Sequence, residues 1–162
     1  MRTSRIAFIL VLALASTHGL RAQAARQTPP SLAQAMRAGF TESANRLVQA
    51  AEGIPEAQYD FKPAPTVRSL RQLVAHMADG NNYYCAQAAG RNVQWSDSTE
   101  TANLPKAQLI ARLRASIAAC TAVPAGAPRQ EQFMANLMHI EHHYGNLVTT
   151  MRVAGLTPPQ NG

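Results

Sequence analysis

An all-α four-helix bundle is the fold class that this 162-residue sequence predicts. Three observations predict it. Alanine, the strongest helix former, occurs 30 times. Apolar residues recur at three- and four-residue spacing through four long segments, and no segment alternates with a period of two. Breaks containing Pro and Gly separate those segments, and the length suits one domain rather than two.

The N-terminus stands apart from the bundle. Arg2 and Arg5 precede a ten-residue apolar run from Ile6 to Ala15, and a polar stretch then ends in Ala22-Gln23-Ala24. These are the three parts of a secretory signal peptide, with cleavage expected after Ala24. Ten apolar residues cannot cross a hydrocarbon core ~30 Å thick, and no Cys follows the run to carry a lipid. The organisation expected is a leader over 1–24, a linker over 25–30 and one helical domain over 31–159. The protein would be periplasmic or secreted, with no stable membrane anchor after cleavage. Loss of the leader removes Arg2, Arg5 and Arg21 and no acid, so the formal charge falls from +6 to +3. Charged residues are 15% of the chain and aromatics 6%, and there is no basic run. That excludes a disordered basic tail and leaves few rings for bases to stack on, so no nucleic-acid partner is expected.

The first helix opens after Thr28-Pro29-Pro30, where Ser31 and Gln34 form a capping-box pattern. Leu32, Met36, Phe40, Leu47, Val48 and Ala51 mark its core stripe, and Gly53 and Pro55 end it. Ser69 caps the second helix, whose stripe is Leu70, Leu73, Met77 and Tyr84 and which Gly90 closes. A polar stretch from Arg91 to Asn103 holds Trp95. Pro105 suits the first turn of the third helix, with Ile110, Leu113, Ile117 and Cys120 as its stripe. Val123-Pro124-Ala125-Gly126 breaks it, and the fourth helix runs from about Pro128 to Ala154.

The fourth helix carries the chemistry. Beside its apolar stripe (Phe133, Leu137, Ile140, Tyr144, Leu147, Met151) runs a second one of Asn136, His139, His143, Asn146 and Thr150. A solvated helix face normally uses Lys and Glu; uncharged polar groups suit an enclosed groove better. The second helix repeats the arrangement with Ser69, Gln72, His76, Asp79 and Tyr83. His139 and His143 project from one face about a turn apart, which lets both imidazoles share one metal. His76 would complete a three-histidine site with open positions. The same rings can also serve only as hydrogen-bonding groove residues. Asp79, a turn beyond His76, is the candidate general base or outer-shell partner, against the alternative of a solvated acid. Tyr83 either donates to a bound substrate or packs as a rim aromatic. Asn136, Asn146 and Thr150 are expected to line the groove, with Glu141 and His142 in solvent.

Cys85 and Cys120 each lie near the C-terminal end of a helix. They meet only if the second and third helices run parallel, which the long connection between them permits. The topology expected is up-down-down-up, with a Cys85–Cys120 disulfide.

The segment HIEHHYGNLVTTMRVAGLTPP, with RSLRQLVAHMAD upstream, resembles the DinB/YfiT-like family of four-helix-bundle metalloproteins. The shared features are His76, then His139 and His143, Gly145-Asn146, Arg152, Gly155 and Pro158-Pro159. The resemblance implies His76, His139 and His143 as ligands of one divalent metal, zinc or nickel, within a bundle that contains a long crossover. It implies a metal-dependent enzyme that hydrolyses a small molecule or transfers a thiol or other group, and by analogy a homodimer. Export argues against a cytosolic thiol cosubstrate. The alternative is an exported, non-catalytic protein that binds a metal or small ligand in the same groove.

Overall fold

The computed structural model describes residues 29–160. The expected leader over 1–24 and most of the linker over 25–30 lie outside them. The fold is that of the unit from Leu32 onward. Its helices are α1 (Leu32–Gly53), α2 (Leu70–Ala88), α3 (Ser98–Thr101), α4 (Lys106–Thr121) and α5 (Gln130–Val153), with a 3-10 turn at Glu56–Gln58. No strand occurs among the described residues. No helix there is long and apolar enough to cross a membrane. The four expected helices are α1, α2, α4 and α5. The single turn α3 lies in the stretch expected only as a polar connection.

Side-chain pairs fix the helix directions. Asn81 meets Ser116 and Cys85 meets Cys120, so α2 and α4 run parallel. Asn81 meets Asn136, and Gln87 meets Arg129 further along α2, so α5 runs antiparallel to α2. Phe40 packs on Phe133, and Arg46 reaches Glu141 and Tyr144, so α1 is parallel to α5. The topology is up-down-down-up. Helices consecutive in sequence, α1 with α2 and α4 with α5, lie across the bundle from one another, while α2 packs on both α4 and α5.

Local chemistry explains the helix ends. The Ser69 hydroxyl accepts from Gln72 N while the Gln72 side chain accepts from Ser69 N, a full capping box at the start of α2. Gly90 takes a left-handed φ of 84°, and Arg91 N returns to Ala86 O, closing α2 as a Cβ-free residue can. At the end of α1, Lys106 Nζ donates to the carbonyls of Glu52 and Ile54, both at 2.7 Å. A cation on these last carbonyls complements the helix dipole and fixes the start of α4 against the end of α1.

Most of the expected stripes of α1 and α5 is in the core, from Met36, Phe40 and Leu47 to Phe133, Ile140, Leu147 and Met151, while Val48 and Leu137 are half-buried and Leu32, the first residue of α1 with no turn before it to pack on, is exposed. Each fully buried side chain contributes roughly 1.5–3 kcal/mol. The phase of α4 differs from expectation. Its buried face is Leu109, Leu113, Ser116 and Cys120, and Ile110 and Ile117 are only half-buried. Hydrophobicity favoured Ile117, but Ser116 is buried at no polar cost: it donates to Leu113 O at 2.7 Å and accepts from Asn81 Nδ2 at 3.1 Å. Asn81, Ser116 and Asn136 thus form a polar seam beside the Cys85–Cys120 disulfide, whose Cα atoms are 5.1 Å apart. Helix α2 is buried on almost every side from Leu73 to Asn81.

Candidate metal centre

Because α2 and α5 are antiparallel neighbours, His76 on one faces His139 and His143 on the other. His76 Nε2 lies 3.1 Å from His139 Nε2, and the His143 ring centroid is 4.6 Å from each of the other two. One nitrogen from each ring lies within 4.8 Å of the others. Three nitrogens at 2.0–2.1 Å from a tetrahedral zinc would stand about 3.3 Å apart, so the set needs little adjustment to share an ion.

The site also depends on a residue with no side chain. A Cβ at Gly80 would lie 2.4 Å from His139 Cε1 and 2.6 Å from its Nδ1. The missing side chain lets the ring lie flat against the α2 backbone, one turn beyond His76. Trp95 closes the cluster from the other side, its ring 5.3 Å from His76 and 5.9 Å from His139, and Tyr84 stands 5.4 Å from His139.

Burial sets the protonation. It pushes His139 down to about 3, with His143 and His76 adding to the effect, and His143 down to about 4, where His76 and His142 add to it. His76 is lowered by burial and then by Arg68, against the opposing pull of Glu100. At neutral pH all three rings are uncharged and keep a lone pair for a cation. The Nδ1 atoms of His139 and His143 are buried without a partner. Three convergent, largely buried neutral imidazoles fit a divalent metal.

The other expected site residues fall in different places. Asn146 and Thr150 line a groove of about 740 Å³ together with His143, Gln72, Arg68, Glu100 and the loop from Lys62 to Val67. Of the three histidines, only His143 is on its wall. Asn136 does not line it. It is fully buried, donating to Asn81 Oδ1 at 3.0 Å with the disulfide sulfurs 3.4 and 3.5 Å away. A polar residue on a helical stripe can face a groove or a buried partner, and spacing alone does not distinguish them. Tyr83 packs against Trp95 and Tyr84, with centroids 5.4 and 5.0 Å away, at the rim and outside this groove. His142 is exposed, and Glu141 pairs with Arg46 and Ser43 on α1.

Asp79 is 2% exposed, and its carboxylate accepts the backbone N–H groups of Thr99 and Glu100 at 3.0–3.1 Å. It caps α3 from outside that turn, whose own N-cap residue, Asp97, makes no side-chain cap bond, and with both oxygens engaged it presents no free base to the histidines. Two acids that sequence reasoning missed do reach His76: Asp97, with an oxygen within 4.8 Å of it, and, closer to pairing, Glu100. Its Oε2 lies 3.3 Å from His76 Nδ1, close enough to pair, although the N–H does not yet point squarely at the oxygen. Arg68 Nε holds both carboxylate oxygens at 3.0 and 3.2 Å. The Asp97-x-x-Glu100 spacing, a helix-start pattern, was the available signal.

A protein-family model described as the DinB superfamily matches residues 40–149, which take in all three histidines. No curated protein matches the chain.

Proposed function

The chain belongs to the DinB superfamily, and from that premise we propose that it is an exported metalloprotein acting on a small molecule. His76, His139 and His143 would hold one divalent ion, zinc or nickel. The observation that carries this reading is the convergence of three neutral imidazoles from two helices beside an open groove. Such an ion, when bound, supplies Lewis acidity and lowers the pKa of a coordinated water or thiol.

The chain's own residues set what can reach that position. His143 connects the centre to the groove, while the rings of Trp95 and Tyr84 pack against His139. Asn146, Thr150 and Gln72 offer hydrogen bonds, and Lys62 and Arg68 offer positive charge. The volume suits a small ligand rather than a polymer. Hydrolysis or group transfer is the enzymatic form of this reading. Non-catalytic binding of a metal or small ligand is the second form, favoured by one observation: Asp79 is committed to the α3 backbone and Glu100 to Arg68. Export to the periplasm or beyond is supported by the leader pattern over 1–24 and by a disulfide that an oxidising compartment would maintain. Pairing into a homodimer rests on family analogy alone.

Elemental analysis of purified protein beside its His143→Ala variant tests the centre. Wild-type protein should carry about one zinc or nickel per chain after reconstitution, and the variant far less. Wild-type protein without stoichiometric metal would sink the proposal. With metal present, a panel of ester, amide and thiol-transfer substrates separates enzyme from binding protein.

A further inference from the structure

We propose that Glu100 is a positioning residue for the metal centre, and that Asp79 and Arg68 exist in this fold to aim it. The inference rests on the three-histidine reading above. The geometry builds outward from His76. With Nε2 turned towards His139, Nδ1 is the only other polar atom of the ring, and Glu100 Oε2 stands 3.3 Å from it. A small rotation of either group aligns the N–H with that oxygen. A carboxylate on the far nitrogen of a ligand histidine fixes the tautomer, orients the ring and raises its basicity.

Glu100 is held from two independent directions. Arg68 Nε takes both of its side-chain oxygens. Asp79, from within α2, takes the backbone N–H groups of Thr99 and Glu100 and so seats the single turn α3 on that helix. Asp79 and His76 are three residues apart on α2, so one helix supplies both the ligand and the anchor of the residue that aims it. An isolated four-residue helix has no stability of its own; without the Asp79 cap, Glu100 would lose one of the two holds that keep it in register with His76. Neither His139 nor His143 has such a partner on Nδ1.

The test measures zinc affinity by competition with a chromophoric chelator, using the full exported protein. Wild type is compared with Glu100→Ala, Glu100→Gln and Asp79→Asn. Glu100→Ala should weaken zinc by about 10–100-fold. Glu100→Gln keeps an acceptor oxygen and should recover part of the loss, and Asp79→Asn should weaken zinc in the same direction. Long-range ¹H–¹⁵N spectra of the zinc-loaded protein supply a readout that a merely structural role would not move. His76 should carry its proton on Nδ1 in wild type and lose that fixed signature in Glu100→Ala. Circular dichroism checks that each variant is folded; if Glu100→Ala is not, Glu100→Gln alone decides, through its affinity and His76 spectrum. Unchanged affinity and unchanged His76 signals in a folded Glu100 variant would overturn the inference. A second zinc per wild-type chain, lost with Glu100, would overturn it too by making Glu100 a ligand. Wild-type protein that takes up no zinc would instead remove the metal reading beneath it.

Discussion

On α2, His76 has a carboxylate at its outer nitrogen, an arginine behind that carboxylate and an aspartate seating the turn that carries it. On α5, His139 and His143 have nothing at theirs; His139 is held by shape, between the bare backbone of Gly80 and the rings of Trp95 and Tyr84. One half of the centre has a charged group held ready beside its ring, 3.3 Å from Nδ1, and the other is set by packing. The two devices fail differently. A ring aimed by a neighbouring carboxylate can be detuned by degrees, since an amide still replaces part of a carboxylate. A ring lying against backbone has no room to yield, so one added methyl group displaces it outright.

Four experiments probe that contrast, from the largest expected effect to the smallest. Removing the disulfide with Cys85→Ser and Cys120→Ser together should cost about 2–4 kcal/mol in denaturant unfolding. It ties α2 to α4 and meets α5 only at Asn136, whose Nδ2 lies 3.4 and 3.5 Å from its sulfurs, so zinc affinity of the folded fraction should change by less than about threefold. A larger loss would mean that the α2 half depends on the scaffold as well as on Glu100. Gly80→Ala attacks the packed half alone. Alanine favours helix by about 1 kcal/mol, yet its Cβ collides with His139, so zinc affinity should fall on the order of 100-fold in a protein still helical by circular dichroism. Retained affinity, measured by calorimetry, would show that the α5 ring has slack.

Trp95→Ala removes one wall of the same pocket and should weaken zinc by roughly 2–10-fold, the scale of an aromatic contact. No change in affinity would transfer the packing role to Gly80 and Tyr84 alone. The smallest effect belongs to a remote charge. Hydrogen bonding to Arg71 holds the Asp60 carboxyl below its usual range, with an Nε to Oδ1 distance of 2.7 Å. Its contribution is therefore present above the ordinary carboxylate range and is lost as pH falls through the lowered value. Asp60 is largely exposed, so screening keeps that contribution well under ~1 kcal/mol. Asp60→Asn should flatten the acid limb of a stability-against-pH curve slightly without altering zinc affinity, and a steeper limb would reverse the sign argued here.

What could be read in the sequence divides along the same line. His139 and His143 stand four apart on one helix, a periodic signal, and His76 has the same polar-stripe context on another. Cys85 and Cys120 at like-polarity helix ends, with a long connection between, were enough to order the helices. Glu100 was not visible in this way. It lies in a one-turn helix too short to show a period, and its anchor Asp79 is 21 residues earlier in the chain. Asn136 was misplaced, and Ser116 left out of the expected stripe, for the reverse reason: each is polar, its partner side chains belong to other helices, and pairing decides which face of a helix turns inward.

The placement of consecutive helices across the bundle has a consequence for how the molecule comes into being. Neither α1 with α2 nor α4 with α5 can close as a hairpin, so each helix must wait for a neighbour distant in sequence. Folds of this kind reach their native contacts late, because long loops must close before burial rewards them. Helix α5 packs on both α1 and α2 and carries two of the three histidines. Without its docking there is neither a complete core nor a three-histidine cluster. Core and cluster are thereby completed in the same step, by a helix that meets partners far from it in sequence.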